Sequence, residues 1–375
     1  MGFSAVESLE PLKLCEPLIE SHKRSAAYRP APGLAEALDV AMMLGVPLLL
    51  SGDPGVGKTR AAHWLAENEL RTPLLRFDVK SNTLGSDLLY HFDEVSRFRD
   101  SSRPGDRPMV EYLRFNALGK AIVESAGGRA SLFTLSGEKL VGEELLRRRK
   151  PLVEAFGEAA EDLFRRAEAG EGEVAATVSL LLPEAHDFRA AAPRHRVVLI
   201  DELDKAPRDT PNDLLVEVED MEFNIPELGV KVRGDPGYRP IVIITTNSEK
   251  SLPDPFLRRC AFFDIPFPEE DDLKEIIDGS IQTLKGGGTL VTEALDAFLR
   301  FRAPQALTKA PGTAELLAWL DVLLRRGLRP GDSLREACRD PERRIGTTLT
   351  AVMKTTADQK KGRRMIQDWA RKSAD

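Results

Sequence analysis

Residues Gly52 to Thr59 read GDPGVGKT, with the spacing G-x-x-x-x-G-K-[ST]. That spacing supplies what a polyphosphate needs. Gly55 and Gly57 let the backbone wrap closely, so that successive N–H groups point at phosphate oxygens. Gly52, Pro54, Val56 and Arg60 complete the stretch that would bind the cofactor. Lys58 offers a point charge to β/γ-phosphates, and Thr59 a hydroxyl ligand for Mg²⁺. A second constellation is VVLIDE, Val197 to Glu202, an apolar run ending in two acids. Asp201 is placed to hold Mg²⁺ through its water shell, and Glu202 to polarise a water for attack on a γ-phosphate. A third run, IVIITTN, ends in Thr246 and Asn247. Asn247 can hydrogen-bond the attacking water or the γ-phosphate, or cap the following turn. Finally, LPDPFLRRCAFFDIPFP carries Arg258 and Arg259 in a mostly apolar segment. Burying them unpaired would be costly. Either they are salt-bridged, or one projects across a subunit boundary onto a neighbour's γ-phosphate as an arginine finger.

These groups need elements to carry them. PLLLS before the Gly-rich loop suits a buried strand, and RAAHWLAENEL after it suits a helix; strand, loop, helix is the context the pattern requires. The helix N-terminus adds a favourable dipole. LAEALDVAMMLG has helical apolar spacing and ends on a glycine. TPLLRFDVKS alternates like a strand, and VVLI and IVIITTN are continuous apolar strands. Such strands alternating with helices predict an α/β fold with a parallel sheet covered on both faces. Ligands in such sheets sit at the carboxyl ends of the strands, where Asp201, Glu202 and Asn247 fall. After Pro268 the chain reads as four or five amphipathic helical stretches.

The bulk properties bound the rest. With 375 residues, the chain can bury one large core or two modest ones. At 42% hydrophobic and 30% charged it has the composition of a soluble globular protein. No apolar run approaches the ~20 residues that span a bilayer, so no membrane association is expected. The N-terminus lacks the basic start of a secretory signal. Cys15, Cys260 and Cys338 are scattered and lack metal spacing, which fits free thiols in a reduced cytoplasm. The five histidines are scattered as well. A net charge of −7 argues against a chain devoted to gripping nucleic acid. The N-K-x-D pattern of guanine recognition is absent, which favours ATP over GTP.

The order GDPGVGKT, VVLIDE, IVIITTN, LPDPFLRR resembles that of an AAA+ ATPase, a P-loop NTPase. YRPAPGLAEALDVAMMLGVPLLLSGDPGVGKT, IDELDKAPRDTPNDLLVEVEDMEF and LPDPFLRRC look like the corresponding segments of the MoxR-type branch. The resemblance implies a P-loop AAA+ core with a helical insertion and a C-terminal helical lid. In it, Lys58 and Thr59 take the Walker A roles, Asp201 and Glu202 Walker B, and Asn247 sensor 1. Arg259 aligns with the family's finger arginine, with Arg258 close behind, and Tyr28 to Pro32 fall at the adenine site. Two departures stand out: the family's Asn-Arg after the acids is Asp204-Lys205 here, and sensor 2 is Lys309 or absent.

The organisation expected is a leader over 1–27 and a nucleotide-binding domain over 28–268, with a helical insertion at 99–192. A lid over 269–339 and a basic helical tail over 340–375 would follow. A pre-sensor hairpin is expected within Glu227 to Pro240. The resemblance implies an ATP- and Mg²⁺-dependent ATPase that remodels or activates a partner protein as a ring, a homo-hexamer, in a MoxR-like chaperone role. Partners with a von Willebrand factor A domain would fit. Two other readings stand beside it. One is a nucleic-acid motor or restriction-type NTPase, motivated by the run LLRRRK and the basic tail. The other is a nucleotide-dependent signalling switch.

Overall fold

The computed structural model describes residues 28, 30–100, 107–182, 186–247 and 251–372. The expected leader, with Cys15, lies outside the described residues. By their internal contacts the residues divide into two compact units. Among the described residues, one comprises those of Pro30–Gly52 and Ala61–Ile265; the other comprises Tyr28, Asp53–Arg60 and those from Pro266 to Lys372.

The first unit is built on a five-stranded sheet. Helix α1 (Leu34–Leu44) leads to β1 (Leu48–Ser51). After the Gly-rich loop, α2 (Lys58–Trp64) continues into a π-helical turn over Leu65–Glu69 and then β2 (Leu75–Asp78). Further along come β3 (Tyr90–Phe92), α3 (Glu94–Asp100), β4 (Leu113–Phe115), α4 (Ala117–Ala126) and β5 (Phe133–Thr134). Helices α5 (Gly142–Arg147), α6 (Arg149–Phe156) and α7 (Glu158–Glu168) precede β6 (Val197–Asp201). Helix α8 (Thr210–Asp220), β7 (Glu222–Ile225), β8 (Val230–Arg233), β9 (Ile241–Thr245), α9 (Asp254–Leu257) and β10 (Ala261–Asp264) complete the unit.

The sheet order is β10-β1-β9-β6-β2, and every pairing is parallel. Leu49, Val198, Ile200, Val242 and Ile244 share the large core cluster with Leu118, Ala121 and Ile122 of α4. Leu48, Leu50, Val197, Leu199 and Ile243 alternate with them and are buried as well. Burial on both faces is why β1, β6 and β9 read as unbroken apolar runs. The register sets Asp201 beside Asp78 across the β6–β2 pair.

The structure departs from the sequence expectations in three places. The stretch Arg99 to Ala192 is not helical throughout, since it holds β4 and β5. It also holds α4, nearly all of which is buried against β2 and β6 as a covering helix of the sheet. The hairpin lies N-terminal to its expected place: β7 and β8 pair across the turn Pro226–Gly229. Phe223, Ile225, Val230 and Val232 alternate inward, and the left-handed Met221 turns the chain out of α8. Strand β5 joins this hairpin, so the inserted residues and the hairpin share one small sheet. Edge strand β10 was not anticipated, because AFFD is too short and too aromatic to separate from its proline-rich flanks.

The second unit holds α10 (Glu270–Ser280), α11 (Thr289–Arg302), α12 (Thr313–Arg325), α13 (Leu334–Arg339), α14 (Ile345–Thr348) and α15 (Thr356–Arg371) around a separate core. The last helix is not a loose tail. Ile366, Trp369 and Ala370 are buried in that core, and the Trp369 indole donates to Asp296 at 2.6 Å. The Arg335 guanidinium lies over the Trp369 ring at 4.2 Å and donates to the carbonyl of Trp369 at 2.7 Å.

Candidate active site

The acid pair sits where β6 ends. Asp201 is 7% exposed, and its carboxylate is held on both oxygens. The Thr245 hydroxyl donates to Oδ1 at 2.6 Å, and the Arg76 guanidinium lies 2.9 Å from Oδ2. Arg76 also reaches Asp78 at 2.7 Å, so one cation bridges two carboxylates at the ends of neighbouring strands. Thr245 does a second job: its Oγ1 accepts the backbone N–H of Glu202 at 2.8 Å. Glu202 needs that support, because its φ of 60° puts a non-glycine residue in the left-handed region. The turn it makes there ends the strand and separates the directions of the two acids.

The Glu202 side chain is also held. Oε1 accepts the Asn247 amide at 3.0 Å, and Oε2 pairs with Lys205. The Asn247 backbone N–H donates to the buried Asp204 carboxylate at 3.3 Å. The structure thus brings together Asp201, Glu202 and Asn247, and adds Thr245, Arg76 and Lys205. Thr246, and not Thr245, is the threonine that the sequence pattern singles out. The signal was parity, because residue 245 is the last position of β9 and pairs with β1 at Leu50. Arg76 was hidden as a cation inside an alternating strand.

From Asp53 on, the Gly-rich loop belongs to the second unit. Gly52, Gly55 and Gly57 have φ of 134°, 84° and 101°. At Gly57 a Cβ would also meet the Tyr28 ring at 3.0 Å. Lys58 is 7% exposed, and its ammonium donates to the Asp53 carbonyl at 3.3 Å. Burial pushes the Tyr28 phenol up to about 12, with the Arg60 charge pulling weakly the other way. The helical residues hold the loop from the other side. Gly312, just before α12, lies so close that a Cβ there would stand 2.3 Å from the Pro54 carbonyl oxygen. Arg302, the last residue of α11, donates to Asp53 Oδ2 at 2.7 Å and to the Pro311 carbonyl at 2.6 Å. Its guanidinium lies over the Phe267 ring at 3.4 Å. Arg302 is a cation of the helical unit at the Gly-rich loop that the sequence pattern does not single out. Lys309, expected there, is exposed, and its backbone N–H donates to Asp358 at 3.2 Å.

Arg258 and Arg259 follow α9, and both are exposed. Arg259 makes a loose pair with Glu219 at 3.7 Å, and among the described residues Arg258 makes no ion pair. Phe262 on the edge strand is 61% exposed nearby in the chain.

The donor chemistry fits the group the motif implies. Gly52, Gly55 and Gly57 with positive φ, a buried lysine and a threonine hydroxyl suit a triphosphate. On the first unit, the buried Asp201 carboxylate suits a hard cation such as Mg²⁺.

The family of ATPases associated with various cellular activities (AAA) matches residues 117–268. That segment carries α4, the acid pair, the hairpin, Asn247 and the two arginines, while the Gly-rich loop precedes it. The match spans 152 of the 375 residues, and it makes that segment, with its parallel α/β sheet, similar to the AAA family of ATPases. No curated protein matches the chain. Among solved structures it is similar to a lysine-to-arginine variant of Thermotoga maritima RuvB, with 14% identity and a TM-score of 0.40. The alignment covers 84% of this chain and 66% of that one, just under two thirds of its length. A score of that size is too low to define shared detail.

Proposed function

We propose that this chain hydrolyses ATP with Mg²⁺ and uses the cycle to remodel or activate a partner protein as a ring, in the manner of MoxR-type AAA+ proteins. The observation that carries the reading is the Glu202–Asn247 contact beside the anchored Asp201: a base and a polar sensor already oriented at a strand end. Mg²⁺, when bound, would neutralise charge on the phosphates, with Thr59 and Asp201 as its protein-side groups. Lys58 and the loop N–H groups would hold the phosphates. Glu202 would take the proton of the attacking water while Asn247 fixes its carboxylate. Arg259, or Arg258, would serve a neighbouring subunit; their exposure supports that role over a buried structural one. Lys309 remains in this proposal as the sensor 2 candidate.

Two clefts on the inserted elements support a partner-facing role for them. A cleft of about 590 Å³ is lined by Phe156, Leu163, Arg165, Arg166 and Arg189, and one of about 600 Å³ by Arg107, Met109, Tyr112 and Glu158. The arginine run that motivated nucleic-acid binding is largely spent on acids. Arg147 and Arg148 pair with Glu144, and Arg149 with Glu168.

The test is the ATPase rate per subunit against protein concentration. Lys58→Ala should abolish nucleotide binding, and Glu202→Gln should bind ATP without turnover and retain partners, a von Willebrand domain protein among those sought. A rate that stays flat on dilution, with Arg259→Ala and Arg258→Ala harmless, would remove the ring mechanism. Stimulation by DNA that is lost at moderate salt would replace it with the nucleic-acid reading.

A further inference from the structure

We propose that Arg76 is an exchangeable counter-ion for the metal-side carboxylate Asp201, and that Asp78 receives Arg76 when Asp201 turns to the metal. The inference rests on the reading of Asp201 as the acid on the metal side. Its own observation is the bridge: Arg76 lies 2.9 Å from Asp201 Oδ2 and 2.7 Å from Asp78 Oδ1, with its Nε also donating to Asp78 at 2.8 Å.

The geometry explains why a cation belongs there. Asp201 is 7% exposed, and a buried carboxylate without a partner is expensive. Thr245 satisfies only Oδ1. Arg76 supplies a positive partner at Oδ2. A divalent cation approaching the same oxygen meets the guanidinium's like charge, so the two compete. Arg76 can give way without being stranded. Its side chain is 42% exposed, and Asp78, 67% exposed, already holds it through two of its nitrogens. Parallel pairing of β2 with β6 puts Asp78 level with Asp201, so the hand-over requires a rotamer change and no backbone movement.

Asp201 is thereby kept oriented between metal-loaded states, at the cost of some metal affinity. Arg76 is a positioning residue; the groups that would meet the substrate are those of the proposed site.

Mn²⁺ binding tests this directly, read by loss of the free-ion EPR signal at a fixed concentration of a non-hydrolysable ATP analogue, against a nucleotide-only blank. Arg76→Gln should tighten Mn²⁺ binding by about tenfold, by removing the competitor. Asp78→Asn should weaken it several-fold, since Arg76 then has only Asp201. In the Arg76→Gln background, Asp78→Asn should change affinity by less than about twofold, because Asp78 acts only through Arg76. Arg76→Lys, which keeps the cation, should stay close to wild type and guards against a variant that misfolds. Unchanged or weaker binding in Arg76→Gln overturns the exchange. So does an equal effect of Asp78→Asn in both backgrounds, which would be plain electrostatics. A wild-type protein that binds no Mn²⁺ overturns the reading of Asp201 itself, and this inference with it.

Discussion

Thr245→Val removes one hydroxyl from the acid-pair turn and nearly preserves volume, so its cost is almost purely that of hydrogen bonds. The hydroxyl donates to the Asp201 carboxylate at 2.6 Å and accepts from Glu202 N–H at 2.8 Å. A hydrogen bond to a charged group contributes about 1.5–3 kcal/mol. Leaving a half-buried N–H without its acceptor adds about 1 kcal/mol, the low end for such groups. The expected loss is therefore on the order of 3 kcal/mol. It falls on the turn that holds Glu202 in the left-handed region, so turnover should drop more than nucleotide affinity. Urea denaturation followed by far-UV circular dichroism gives the stability, and steady-state ATPase assays separate kcat from KM. Thr245→Ser keeps the hydroxyl and should lie within about 1 kcal/mol of wild type. A loss under about 0.5 kcal/mol in Thr245→Val, with kcat unchanged, would refute the assignment of Thr245 as the hub of the two acids.

Other outcomes follow from the helical unit and the thiols. Gly312→Ala puts a Cβ against the Pro54 carbonyl, and Arg302→Ala removes the tie to Asp53; each should weaken ATP-analogue binding several-fold, measured by isothermal titration, through displacement of the loop. Asp358 gives a pH dependence. Burial raises its pKa, but hydrogen bonds from the Thr308 and Lys309 N–H groups and from Thr355 outweigh burial and hold the carboxyl below its usual range. A folded pKa below the unfolded value means the contribution is complete above about pH 4 and disappears as pH falls through the folded value. Asp358→Asn should lower the melting temperature at pH 7 and flatten the acid limb of the stability curve. Burial pushes the thiols of Cys260 and Cys338 up to about 12, with Glu293 adding to the effect at Cys338. At pH 8 roughly one in ten thousand would be thiolate, so alkylation of these two sites, resolved by peptide mass spectrometry, should be slow until the protein is denatured.

Local pattern alone made several features legible. GDPGVGKT is contiguous, and backbone conformation over eight residues dictates its glycines, so a string suffices to find it. Strands β6 and β9 announced themselves because both sheet faces are buried, which leaves no polar alternation to confuse. The acids at the end of β6 and Asn247 after β9 followed from strand ends. What stayed hidden depends on pairing. Arg76 looks like the outward residue of an edge strand until register sets β2 beside β6. Thr245 looks like a β-branched strand residue until its hydroxyl is seen between two acids. Arg302 lies 249 positions from Asp53, and no periodicity relates them. Helix α4, inside a stretch that reads as uniformly helical, proves to cover the sheet only because its apolar face meets β2 and β6. Sequence by itself thus determined the phosphate-loop pattern, because that pattern is written in backbone conformation over adjacent residues. Only tertiary structure decided which cations and hydroxyls hold the acids, because a long side chain's partner is set by strand register and helix docking.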